Sequence, residues 1–230
     1  MSFDTSRARA EIMQRIRSAQ RRAEPTSTDR ASASEYLAKH PAGPQPAPYA
    51  DVRAQFCTMA ERMSSTVESV ASMTDAPGAV ARYLAGQSLA PRVVAWPALD
   101  TLPWREAGIE VEWRAPRRDE SAGADLIGIT GCFCAIAETG TLVLLSSPES
   151  PASTHLLPET HIALVDAARI VATMEDAFEL MRRERGGPQR MMPRAINMVS
   201  GPSRTGDIEQ TIVLGAHGPY RVHIIVAETA

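Results

Sequence analysis

The sequence predicts an α/β protein built in layers around a largely parallel sheet. Short apolar runs, IALV at 162–165, INMV at 196–199 and VHIIVA at 222–227, read as strands covered on both faces. Segments with helical periodicity alternate with them, which is the pattern of α/β layering. Gly- and Pro-rich turns punctuate the two kinds of segment.

In chain order, Ser6 to Arg22 reads as a helix, with Ile12, Met13, Ile16 and Ala19 on a thin apolar face and arginines elsewhere. Residues 23–50 are rich in Ala, Ser and Pro. Pro41, Pro44, Pro46 and Pro48 fix φ and remove donors, so this part reads as a linker or extended arm rather than a helix. From Asp51 a stronger helix is expected, with Val52, Phe56, Met59, Met63, Thr66 and Val70 on one continuous face. Ala79 to Ala85 reads as a second, short helix. Strands are expected at 92–96, 109–113, 125–129, 141–145 and 161–165. An amphipathic helix follows at 174–185, stopped by Gly186-Gly187-Pro188. Two last strands, 195–199 and 221–226, enclose a short helix expected from about Asp207. The domain reading is therefore a helix at 1–22, a linker at 23–50 and a main domain at 51–230.

Bulk composition narrows the function. At 230 residues, 44% hydrophobic and 22% charged, the chain can bury a substantial core. A net charge of −3 gives no basic field for nucleic acid. No apolar run reaches the ~20 residues that span a bilayer. The N-terminal stretch lacks the apolar core of a secretory signal, and three cysteines make no even disulfide framework. The expected compartment is the cytoplasm.

Chemistry concentrates in two stretches. In GCFCAIAETGTLVL, at 131–144, Cys132 and Cys134 have no further soft ligands at recognisable metal spacing, so they read as small buried hydrophobes. Glu138 is more demanding, because a carboxylate between apolar runs either turns to solvent or is held by donors in a cleft. Thr139, Gly140 and Thr141 beside it offer hydroxyls and a backbone that a ligand can approach closely. The second stretch is SGPSRTGDIEQ, at 200–210. It reads as a strand-to-helix turn, with Asp207 and Gln210 spaced as a capping box. Ser203, Arg204 and Thr205 would present hydroxyls and a guanidinium to an anion there, although helix capping explains most of the same residues. His217, on the turn before the last strand, completes the candidate set. No triad, Walker loop or GxGxxG is present.

The motifs GITG at 128–131, AIAETGTLVL at 135–144, LPETHIALV at 157–165, IVATMEDA at 170–177, SGPSRTGDIEQ at 200–210 and VLGAHGPYRVHIIV at 213–226 occur here in one order. In that order they resemble the LUD-domain family, in its lactate utilization protein C branch. SRARAEIMQRIRSA at 6–19 is similar to the family's opening helix. The resemblance covers most of 51–230. It implies an α/β sandwich similar to ribose-phosphate isomerases and CoA transferases. It also implies a part in oxidising L-lactate to pyruvate, with lactate utilization proteins A and B as iron–sulfur partners and no cofactor in this chain. The family commonly has small or acidic residues where Cys132 and Cys134 stand.

Three readings stay open. One is a subunit that binds a small anion, Arg204 pairing it while Glu138, Thr139 and Thr141 line the site. Another is a stand-alone isomerase or CoA-transferase-like enzyme with Glu138 as acid, base or nucleophile. The third is an interaction module that docks through the N-terminal helix and arm.

Overall fold

The computed structural model describes residues 5–21, 24–39, 41–119, 123–185, 193–208, 211–215 and 217–228. The chain divides into two units, Met1–Gln45 and Pro46–Ala230.

The first unit holds two helices, α1 (Ser6–Gln20) and α2 (Ser27–Lys39), neither with a buried residue. Arg21 ends α1 in the left-handed region, φ 52°. The helix α2 falls where an extended connection was expected. Its sequence is free of proline, and Thr26 and Asp29 close a reciprocal cap: Asp29 N–H donates to Thr26 Oγ1 at 3.1 Å, and Thr26 N–H to the Asp29 carboxylate at 2.8 Å. The proline-rich part, 41–49, has no regular element.

The second unit opens with α3 (Val52–Arg62), capped by the Asp51 carboxylate, which accepts from Ala54 N–H at 2.9 Å. This helix is shorter than its apolar periodicity suggests. Ser64 adopts φ 67°, and the chain then continues as strand β1 (Thr66–Val70). Thr66 and Val70 therefore belong to the sheet and not to the helix face. Then come α4 (Ala76–Gly86), β2 (Arg92–Ala95), β3 (Glu110–Trp113) and the two-residue strands β4 (Arg118–Asp119) and β5 (Gly123–Ala124). They are followed by β6 (Ile127–Thr130), β7 (Cys134–Ile136), β8 (Thr141–Leu145), β9 (Thr160–Asp166) and β10 (Ile170–Val171). The last elements are α5 (Met174–Arg185), β11 (Ile196–Val199), β12 (Arg204–Ile208), β13 (Thr211–Leu214) and β14 (Arg221–Ala227). The expected Gly186-Gly187-Pro188 stop lies outside the described residues.

Six strands form one sheet in the order β1-β14-β9-β6-β2-β3, every neighbouring pair parallel. A second sheet, β10-β7-β8-β11, is mixed. The layers follow from alternation along the strands. On one face of the large sheet, Ile162, Leu164 and Ile225 pack with Val80 and Leu84 of α4. On the other, Ala163, Val165, Ile224 and Val226 meet Phe56 and Ala60 of α3 and Leu142 and Leu144 of β8. The outer face of the small sheet, Cys134, Ile136 and Val143, packs on Ala177, Leu180 and Met181 of α5. The molecule is thus a layered α/β fold, and the small sheet is a core layer in its own right. No helix among the described residues is long and apolar enough to cross a membrane.

The thiols are packing groups within these layers. Cys134 is fully buried in β7, and burial pushes its thiol up to about 11. Cys132 precedes the strand, donates to the Cys134 carbonyl at 2.8 Å and is pushed up to about 12, chiefly by desolvation. Alkylation at neutral pH is expected to leave both unmodified in the folded chain and to reach both after denaturation. Rapid labelling of either in the native state would reinstate thiol chemistry.

Candidate functional site

The Glu138 and Arg204 stretches meet at the C-terminal end of α3, and two glycines bring them there. Gly140, at φ 65°, lies so close to α3 that a Cβ would sit 2.4 Å from Ala60 N. Gly201, at φ 81°, lies against the helix end, where a Cβ would sit 2.0 Å from the Met63 carbonyl oxygen. The antiparallel pairing of β11 with β8 sets Val199 opposite Leu142, which carries Ser200 to Thr141. Thr139 and Thr141 hydroxyls are hydrogen-bonded at 2.6 Å, and Thr141 and Ser200 at 2.7 Å. Three hydroxyl protons serve two bonds inside this chain, which leaves one O–H to donate outward. Ser200 is a site residue that the sequence reading did not single out; only the strand register could have found it.

The two charged candidates are anchored in opposite directions, and no ion pair joins them. Glu138 is half-buried on the β7–β8 turn; its N–H donates to the Ala172 carbonyl at 3.0 Å, and its carboxylate accepts from Met174 N–H at 3.3 Å. That places a negative charge at the positive end of α5. The same end carries a reciprocal cap in which Thr173 N–H donates to the Asp176 carboxylate at 3.0 Å and Asp176 N–H to Thr173 Oγ1 at 3.2 Å. Arg204 is exposed and uses Nη2 to donate to the Met63 carbonyl at 2.7 Å and to Ser64 Oγ at 2.5 Å. It thereby satisfies a terminal carbonyl of α3 and complements the negative end of that helix.

The remaining candidates spread around this cluster. Ser203 donates its N–H to the Pro219 carbonyl at 2.8 Å and accepts from Gly215 N–H at 2.9 Å, so it binds the turn that precedes β14. His217 is exposed on that turn, beside Gly218, whose added Cβ would stand 3.4 Å from Ser203 Cβ. The expected helix from Asp207 is absent. Arg204 to Ile208 instead form β12, paired antiparallel with β13, with Thr205 opposite Val213. The β-prone run Thr211-Ile212-Val213-Leu214 explains the outcome, since hairpin pairing satisfies the backbone that a cap would otherwise serve. Asp207 is accordingly a strand residue, not a helix cap, and its side chain and Gln210 lie outside the described residues.

Fold and site together define a layered α/β protein whose two motif turns converge on one helix terminus. The same fold occurs in the crystal structure of a DUF162 family protein from Deinococcus radiodurans, with a TM-score of 0.54 at 24% identity, covering 79% of this chain and 99% of that one. Residues 53–227 match the LUD domain, and the chain belongs to the LUD-domain family. Lactate utilization protein C of Bacillus licheniformis is 39% identical over 129 residues, which are 54% of this chain and 53% of that protein. Its namesake from Bacillus subtilis is 36% identical over 137 residues, covering 58% of this chain and 54% of that protein. The chain thus matches about half the length of these relatives.

Proposed function

We propose that this chain serves in the oxidation of L-lactate to pyruvate. It acts in the cytoplasm with lactate utilization proteins A and B, which carry the iron–sulfur clusters, and it binds a small anionic ligand beside Arg204. The observation that supports this most is the LUD match across both motif turns, together with relatives named lactate utilization protein C. An anion here would be held by the Arg204 guanidinium and not by the α3 terminus, whose negative end the same side chain already complements. Both bonds of Arg204 among the described residues use Nη2, so Nε–H and Nη1–H are left to face a carboxylate. The Thr139–Thr141–Ser200 chain supplies the nearby hydroxyl donor. The domain reading carried with this proposal is a helix at 1–22, a connecting segment at 23–50 that contains α2, and a LUD domain at 51–230.

A second reading, an isomerase or CoA-transferase-like enzyme using Glu138, is favoured by one observation. The carboxylate is half-buried on a turn and held by a long 3.3 Å bond, so it can rotate toward a substrate. Variants separate the two. Under the binding reading, Arg204→Ala abolishes or strongly slows growth on L-lactate and weakens ligand affinity at least about tenfold, while Glu138→Gln retains most function. The Arg204 variant also loses its helix contact, at about 1 kcal/mol of stability, so a urea titration must show it still folded. Full growth on L-lactate after deletion of the whole chain, or failure to recover either partner from lactate-grown cells, overturns the proposal.

A further inference from the structure

The loop that follows β8, the end of α5 and the segment that precedes β11 line an open cleft of about 610 Å³, away from the turns described above. One wall is the tight turn Ser147 to Ser150, closed by Ser150 N–H to the Ser147 carbonyl at 3.1 Å and by the reverse bond at 3.3 Å. Trp96 Nε1–H holds the next residue by donating to the Pro151 carbonyl at 3.2 Å. The other wall is tied to the first through Ser146, whose N–H donates to the Ala195 carbonyl at 3.0 Å and whose Oγ accepts from Ala195 N–H at 2.8 Å. The cleft is therefore built of pinned backbone on both sides.

Its lining has a definite chemistry. Arg185, at the end of α5, and Arg194, before β11, both face it, and no acidic side chain among the described residues does. Glu184, the acid next to Arg185, is gripped by Arg169 at 2.6 and 3.1 Å, and neither lining guanidinium makes a salt bridge among the described residues. Ser146 and Ser147 each accept a backbone N–H, from Ala195 and from Glu149 at 3.2 Å, so their hydroxyl protons are available to donate. Pro148, Pro151 and Pro193 form the apolar part of the lining.

We propose that this cleft is a binding site for a phosphate-bearing small molecule. Two guanidinium groups and seryl hydroxyls match the charge and the several acceptor oxygens of a phosphate better than those of a single carboxylate. The volume lies in the range of cofactor-sized pockets and well exceeds the needs of a three-carbon acid, so the body of the ligand packs on the prolines. This site goes beyond the lactate reading and does not depend on it.

Calorimetric titration of the whole chain with inorganic phosphate, phenyl phosphate and L-lactate tests the assignment. Phenyl phosphate is expected to bind with Kd of roughly 1 mM or tighter, and more tightly than inorganic phosphate, because it fills the apolar part as well. Arg185→Gln with Arg194→Gln is expected to weaken it at least about tenfold with the melting curve unchanged, since both side chains are exposed. Should the double variant fail to fold, each single variant still weakens binding. Glu138→Gln leaves the titration as it was, so failure here and failure of the lactate reading are distinguishable. Absence of heat with phenyl phosphate up to roughly 10 mM, or binding that the arginine variants leave intact, overturns the site. Displacement of phenyl phosphate by L-lactate at equal concentration overturns its phosphate preference.

Discussion

Alanine at Gly140 or at Gly201 is expected to destabilise the fold by about 2–5 kcal/mol each. Two costs combine. The left-handed backbone, φ 65° and 81°, disfavours any side chain by about 1–2 kcal/mol. The added methyl would also stand 2.4 Å from Ala60 N in one case and 2.0 Å from the Met63 carbonyl in the other. Both contacts are helix backbone, which cannot swing aside as a flexible side chain can, so overpacking adds about 1–3 kcal/mol. Gly86→Ala is the control, since its Cβ would meet nothing within 4 Å, and its effect should fall within about 0.5 kcal/mol. Urea midpoints at constant m-value measure all three. A loss below about 1 kcal/mol at both tight positions would show that α3 does not clamp the two turns.

Stability is expected to fall steeply as pH drops from about 6.5, because three histidines are buried neutral. Desolvation lowers His161 to about 3, with neighbouring His155 acting in the same direction; its ring lies 5.8 Å from that of His155. Desolvation brings His155 to about 4, and His223 to about 4 despite the opposing influence of Glu68. Each ring is built in. His161 bonds Thr130 Oγ1 at 2.8 Å, His155 sits edge-on to Trp96, and His223 stacks on Tyr83 at 3.9 Å while bonding Thr66 Oγ1 at 2.8 Å. The unfolded chain takes up these protons near pH 6.5 and the folded chain only near pH 3–4. Their contribution is therefore whole above pH 6.5 and is lost as pH falls toward the folded values. Within that window each histidine adds up to ~1.4 kcal/mol per pH unit. His223→Gln, which cannot titrate, should flatten the pH dependence of the urea midpoint. A midpoint unchanged between pH 7 and pH 5 would contradict the buried-neutral assignment.

Much of this was legible in the residues themselves. The helix over Met174–Arg185 and the strand over Thr141–Leu145 fall where periodicity placed them, because each has a strong local pattern and a single way to bury it. The packing role of Cys132 and Cys134 also followed from ligand counting. Glu138 and Arg204 stood out as charges in unusual settings. Their partners did not, because Met174 N–H and the Met63 carbonyl are backbone groups at helix ends 36 and 141 residues away in sequence.

The sequence by itself determined the α/β class, the family and the two stretches where chemistry concentrates, since apolar period and motif order are local properties. Only the tertiary structure decided where α3 stops and that Thr66 to Val70 pairs with β14. It also decided that SGPSRT leads into a hairpin, and that Arg204 and Glu138 each complement a helix terminus instead of each other. The physical reason is common to all of these. A strand edge or helix end satisfies its polar backbone with whatever distant segment the packing delivers, and no local pattern encodes that register.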